Sequence, residues 1–136
     1  MSARILLLDD EPAILAAMGT YFRRQGYIVD CAKDRREAEQ LLGAHRYACL
    51  IADVRMGDAV HPEEGLEIVS AVRAGHPETR ILVFTAYGTR EVEAAARRLG
   101  ADDFLHKPKL LREVARVVDR LAHPRPTGGP EDKEEA

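Results

Sequence analysis

Cysteine is nearly absent from this chain. Cys31 and Cys49 stand alone in apolar segments with no Cys-x-x-Cys pair, which excludes a disulfide framework or a thiolate metal site and leaves both as small buried hydrophobes. No apolar run approaches the roughly 20 residues of a membrane span, and the N-terminus lacks the basic-then-apolar layout of a signal peptide. Neither membrane insertion nor export is therefore expected, and a cytoplasmic location is the default. An excess of positive charge is missing too. The net charge is -3, and because the segment from His123 to Ala136 carries two basic and four acidic residues, the body retains -1. Direct nucleic-acid binding would require the opposite balance. The five histidines, His45, His61, His76, His106 and His123, share no metal-ligand spacing and read as solvated or partly packed.

What is present is an alternation of short apolar runs and amphipathic stretches in 136 residues, enough for one sizeable core. Arg4–Leu8, Tyr27–Ala32, Cys49–Ala52, Arg80–Phe84 and Asp103–His106 read as strands, and the second, more polar one should lie near a sheet edge. Between them, Ile14, Leu15, Met18, Tyr21 and Phe22 recur at helical spacing, as do Ala38, Leu41 and Leu42, then Leu66, Ile68, Val69 and Val72, then Val92, Ala95, Ala96 and Leu99. Leu110, Val114, Val117, Val118 and Leu121 complete the series. Pro12 suits a helix start, Asp34 with Glu37 makes a capping-box-like start, and Gly26 and Gly100 suit helix ends. Residues 57–64 read as a loop longer than the usual connection of about 2–6 residues. Residues 123–136 read as a flexible acidic tail rich in proline and glycine, so the folded domain is expected to span residues 1–122.

Five strands alternating with five helices predict an α/β fold with a doubly wound parallel sheet. Ligands of such sheets sit outside the carboxyl ends of the strands. Asp9 and Asp10, Asp53, Thr85 and Lys107 all fall at those ends. Three carboxylates crowded at one rim repel one another and call for a cation. An all-oxygen set suits a hard ion such as Mg2+. Lys107 adds a fixed positive charge and Thr85 a hydroxyl. Together they describe a pocket for a dianionic group, most simply phosphoryl, with Asp53 as the attacking carboxylate.

Four stretches carry a resemblance: Leu-Leu-Leu-Asp-Asp-Glu (residues 6–11), Leu-Ile-Ala-Asp-Val-Arg-Met (residues 50–56), Val-Phe-Thr-Ala (residues 83–86) and Phe-Leu-His-Lys-Pro (residues 104–108). In this order the chain resembles a response-regulator receiver domain of two-component signalling, from Arg4 to Leu121. The resemblance implies a flavodoxin-like (βα)5 fold with strand order 2-1-3-4-5. It implies Asp53 as phosphoacceptor, with Mg2+ held by Asp10, Asp53 and the backbone carbonyl of Arg55, and Asp9 helping through water. Thr85 would hydrogen-bond the phosphoryl group, and Lys107 would pair with it. It further implies a switch in which Thr85 is drawn inward and Phe104 rotates inward, remodelling the face of the fourth helix, fifth strand and fifth helix. A cis Lys107–Pro108 peptide is also implied.

The implied partners are a histidine kinase or phosphotransfer protein and a downstream effector that binds this face, with homodimerisation on phosphorylation as a further option. Beyond self-catalysed phosphotransfer and autodephosphorylation, no enzyme activity is implied. Two departures stand out. Gly57 follows Met56 where the family often has proline, and the expected glycine comes only at Gly65, an apparent insertion of about four residues. The resemblance also implies that Arg55 and Tyr87 occupy positions that, in the family, flank the path of hydrolytic water. Two other readings exist. A Mg2+-dependent aspartyl phosphatase would carry an acid/base Asp two residues past the nucleophile, where Arg55 stands. A receiver-like scaffold that is never phosphorylated would have no need of the full set.

Overall fold

The computed structural model describes residues 2–55 and 62–123. Within them the chain alternates as expected: β1 (Arg4–Leu8), α1 (Pro12–Arg24), β2 (Ile28–Ala32), α2 (Arg35–Ala44), β3 (Cys49–Ala52), α3 (Pro62–Gly75), β4 (Arg80–Thr85), α4 (Arg90–Leu99), β5 (Asp103–His106) and α5 (Leu111–Ala122). The strands pair in parallel in the order β2-β1-β3-β4-β5. This is the 2-1-3-4-5 arrangement of a doubly wound α/β sheet.

Period-two alternation along the strands divides the core in two. Leu6, Leu8, Leu50, Ile81 and Val83 face one way and pack with α2, α3 and α4 through Leu42, Ile68, Val69, Val72 and Val92. Ile5, Leu7, Ile51, Leu82 and Phe84 face the other way and pack with α1 and α5 through Met18, Phe22, Val114 and Val118. Both faces being covered explains why β3 is apolar at every position. The edge strand β2 is the more polar one, and its Ile28 is exposed.

Local chemistry sets the helix starts. Asp34 accepts from the Glu37 N–H at 2.8 Å while Glu37 accepts from the Lys33 N–H at 2.9 Å, a reciprocal cap for α2. Thr89 Oγ1 caps α4 by accepting from the Val92 N–H at 3.1 Å.

Two expectations are corrected. Pro62 opens α3, so residues 62–64 are helical and not part of a loop, since proline fits the first helical turn as readily as it marks a connection. Residues 57–61, the core of the expected insertion, lie outside the described residues, as does the tail beyond His123. Leu110 is not core-facing. It caps α5 from outside the helix, with extended backbone, and is 53% exposed.

Gly65 fixes how α3 approaches the sheet. A Cβ there would lie 1.5 Å from the carbonyl oxygen of Val54, so the helix rests directly on the backbone that follows β3. Only a residue without a side chain permits that approach.

Candidate functional site at the carboxyl ends of the strands

β1, β3, β4 and β5 end side by side, and each delivers polar residues to the same rim. Asp9 and Asp53 each lie one residue past a strand, and the Asp53 N–H donates to the Leu8 carbonyl at 2.9 Å, which continues the β1–β3 ladder to the carboxylate. By strand parity both carboxylates follow the inward row that includes Leu7 and Ile51. They sit above an apolar floor of Leu15, Met18, Ile51 and Phe84. Asp9 is 5% and Asp53 7% exposed.

Two carboxylates this buried require compensation. Lys107, one residue past β5, supplies it. Its Nζ donates to Asp9 Oδ2 at 2.5 Å and to Asp53 Oδ2 at 3.0 Å, and lies 5.5 Å from the centre of the Phe84 ring. Burial alone would lower the lysine's pKa, but the hydrogen bonds it donates to Asp9 and Asp53, together with the charges of those carboxylates, outweigh it and hold the ammonium above its ordinary value. The remaining carboxylate oxygens are oriented by backbone: Asp9 Oδ1 accepts from the Glu11 N–H, and Asp53 Oδ1 from the Arg55 N–H, both at 2.9 Å. The lysine is positioned by its own backbone, whose N–H donates to the Thr85 carbonyl at 2.9 Å, and the Lys107–Pro108 peptide is cis.

The other expected residues take distinct places. Thr85 is fully buried at the end of β4, and its Oγ1 accepts from the Tyr87 N–H at 3.1 Å. A hydroxyl accepts and donates at once, so its proton can still be offered to an added group. Asp10 lies beside Asp9 on the exposed side of the rim, as does Arg55. The Arg55 guanidinium sits over the Tyr87 ring at 5.6 Å. Phe104 is buried in the cluster beneath α4, 5% exposed, so its ring already points inward. One residue was not singled out by sequence reasoning. His106 Nε2 meets the Gly88 carbonyl at 3.0 Å, a contact that no periodicity or spacing announces.

The donor set fits a hard divalent cation. Every available atom is oxygen, and two carboxylates against one ammonium leave a net negative charge at the rim. Among the described residues no three acidic, histidine or cysteine side chains are gathered closely enough to hold a metal by themselves. An ion here would rely on few carboxylates, backbone oxygen and water, which is how Mg2+ is commonly bound. No helix among the described residues is long and apolar enough to cross a membrane.

Comparison with known proteins agrees with this architecture. Over 114 residues the chain is 30% identical to the photosynthetic apparatus regulatory protein RegA of Cereibacter sphaeroides, covering 84% of this chain and 60% of that protein. It spans between 29% and 60% of the length of the first curated relatives it matches. A response regulator from Burkholderia pseudomallei, solved with a phosphorylated aspartic acid and a calcium ion, superposes with a TM-score of 0.79 at 26% identity, covering 98% of this chain and 72% of that one. The Thermotoga maritima response regulator TrrA, in complex with Mg(2+)-BeF, superposes at 0.76 with 27% identity, covering 89% of this chain and 99% of that one. The family model for the response regulator receiver domain matches residues 5–119, and the chain belongs to that family of two-component signalling proteins.

Proposed function

We propose that this chain is a phosphorylation-controlled switch in which Asp53 accepts a phosphoryl group from a histidine kinase or phosphotransfer protein in a Mg2+-dependent reaction. The observation that carries the reading is the buried Asp9–Lys107–Asp53 bridge at the strand ends. It holds one carboxylate at the rim with a fixed cation beside it, as in-line transfer to an anionic group requires.

In the transfer, an Asp53 oxygen forms the new bond to phosphorus while the bond from phosphorus to the donor's leaving atom breaks. The leaving group departs with the electron pair and is protonated by solvent. Asp53 is oriented for this by the Arg55 N–H, and Lys107 balances the added charge on the phosphoryl oxygens. Thr85 donates its hydroxyl proton to one of them. Asp10, Asp53 and the Arg55 carbonyl would hold Mg2+, with Asp9 assisting through water; when bound, the ion neutralises charge on the transferred oxygens. The output is contact with an effector through α4, β5 and α5. Phe104, which has no hydroxyl, reports the state by packing alone. Transfer and hydrolysis at Asp53 are the extent of the catalysis.

The test is incubation with Mg2+ and acetyl phosphate followed by intact mass. One base-labile phosphoryl adduct, absent from Asp53→Ala and absent when Mg2+ is chelated, is the expected result. Rapid hydrolysis of varied phosphate esters would instead indicate a phosphatase, and absence of any adduct a scaffold; either overturns the reading.

A further inference from the structure

Phe104, His106 and Lys107 lie at and just past the end of β5, and of the three only His106 has no part in the mechanism above. Strand pairing sets His106 opposite Thr85. The connection that leaves Thr85 for α4, residues 86–89, therefore begins beside the histidine. Its imidazole Nε2 meets the Gly88 carbonyl at 3.0 Å, across the mouth of that connection. A carbonyl only accepts, so Nε2 carries the proton.

Two further contacts make this more than a surface hydrogen bond. The ring lies so close to Gly88 that a Cβ there would fall 2.1 Å from His106 Cδ2 and 2.3 Å from Nε2. The absence of a side chain at position 88 is what lets the ring approach. The same ring packs edge-on against Phe104, with centroids 5.2 Å apart and planes at 62°, and Phe104 is itself buried. His106 thus touches the connection after Thr85 and the aromatic that faces the core beneath α4. The first leads directly from Thr85, which meets the phosphoryl group in the proposed reaction, and the second is the residue whose packing reports the state.

We propose that His106 is a positioning residue, a latch that ties the β4–α4 connection to β5 and holds it in the arrangement with Phe104 buried and Thr85 at the rim. The inference rests on the phosphoryl-accepting reading of the same site. Releasing the latch frees residues 86–89 and lowers the population of the arrangement in which Thr85 is placed to meet the incoming group. One hydrogen bond with its packing biases such an equilibrium by roughly three- to tenfold.

The test uses the full chain and three variants: His106→Ala, His106→Gln, whose amide N–H can reach the same carbonyl, and Gly88→Ala, whose methyl displaces the flexible ring without entering the core. Two readouts are taken: hydrogen exchange of the Tyr87 amide, which donates to Thr85 Oγ1, and the rate of adduct formation from acetyl phosphate. The expected result is faster Tyr87 exchange and roughly three- to tenfold slower adduct formation in His106→Ala and Gly88→Ala, with thermal unfolding as in the wild type and His106→Gln restored. Unchanged exchange and uptake in His106→Ala overturns the latch, and so does a His106→Gln variant as slow as His106→Ala. If the wild type takes up no phosphoryl group, the proposed function fails; exchange then decides the latch alone, upheld by acceleration confined to residues 86–89 in His106→Ala and overturned without it.

Discussion

Lys107 is the residue on which the electrostatics of the rim depend. Its ammonium faces two carboxylates that are 5% and 7% exposed, and its removal would leave both without their cation. Breaking a buried pair by deleting one partner costs about 3 kcal/mol, so Lys107→Ala is expected to lose stability of that order, read as a lower denaturant midpoint. The same variant should bind Mg2+ more tightly than the wild type, because the divalent ion no longer competes with the ammonium for Asp9 and Asp53. Calorimetric titration and thermal unfolding with and without Mg2+ would measure both effects, and equal Mg2+ affinity in the two proteins would contradict the shared-carboxylate argument. The sign of the pH dependence also follows. A lysine held above its ordinary pKa contributes stability that is complete below about 10.5 and fades only as pH rises through the raised value. The bridge should therefore be insensitive to pH between neutrality and about pH 9.

Among the elements, α3 shows most clearly how backbone contact places the site. Gly65 rests on the Val54 carbonyl, one residue after Asp53. Any side chain at 65 must push the helix and the strand exit apart. Gly65→Ala is expected to cost about 3 kcal/mol or more, at the upper end for overpacking, because backbone and not a flexible side chain would have to yield. It should also slow adduct formation at Asp53 at temperatures where the variant is still folded; denaturant unfolding together with the mass assay would show whether both effects occur.

The strands β1, β3 and β4 were legible in the sequence because burial on both faces leaves continuous apolar runs, and Asp34 with Glu37 announced α2 through its cap. The start of α3 was misread because Pro62 serves equally as loop marker and first helical residue. Leu110 was misread because one apolar residue in phase with a helix need not be inside it. The rim residues could be read from their positions at strand ends. The His106–Gly88 contact could not, since it joins the last residue of β5 to the β4–α4 connection, and their meeting depends on the register of β4 against β5.

At the scale of the whole molecule, an aspartate secures each edge of the sheet. On β2, Asp30 accepts from Arg4 of β1 and from the Tyr47 hydroxyl, both at 2.7 Å, so the outer strand is tied to its neighbour and to the entry of β3. On β5, Asp103 is bridged by Arg97 of α4 and by Arg120 of α5, and accepts from the Phe104 N–H at 2.8 Å. Burial opposes ionisation at both sites, yet hydrogen bonds and arginine charge prevail and hold both carboxyls below the ordinary aspartate value. A carboxyl depressed in the folded state contributes stability that is present above its unfolded pKa of about 3.8 and is lost as pH falls through the folded value. Acid should thus loosen both edges over one pH window while the apolar core between them is unaffected. Denaturant unfolding at pH 7 and pH 3 measures this. The wild type should lose more stability between the two than Asp30→Asn or Asp103→Asn, and the double variant should lose least. At pH 7 Asp103→Asn should cost less than Asp30→Asn, because Arg97 and Arg120 are 45% and 59% exposed and solvent screens their pairing. An acid response identical in all four proteins would place the acid-labile groups elsewhere in the fold.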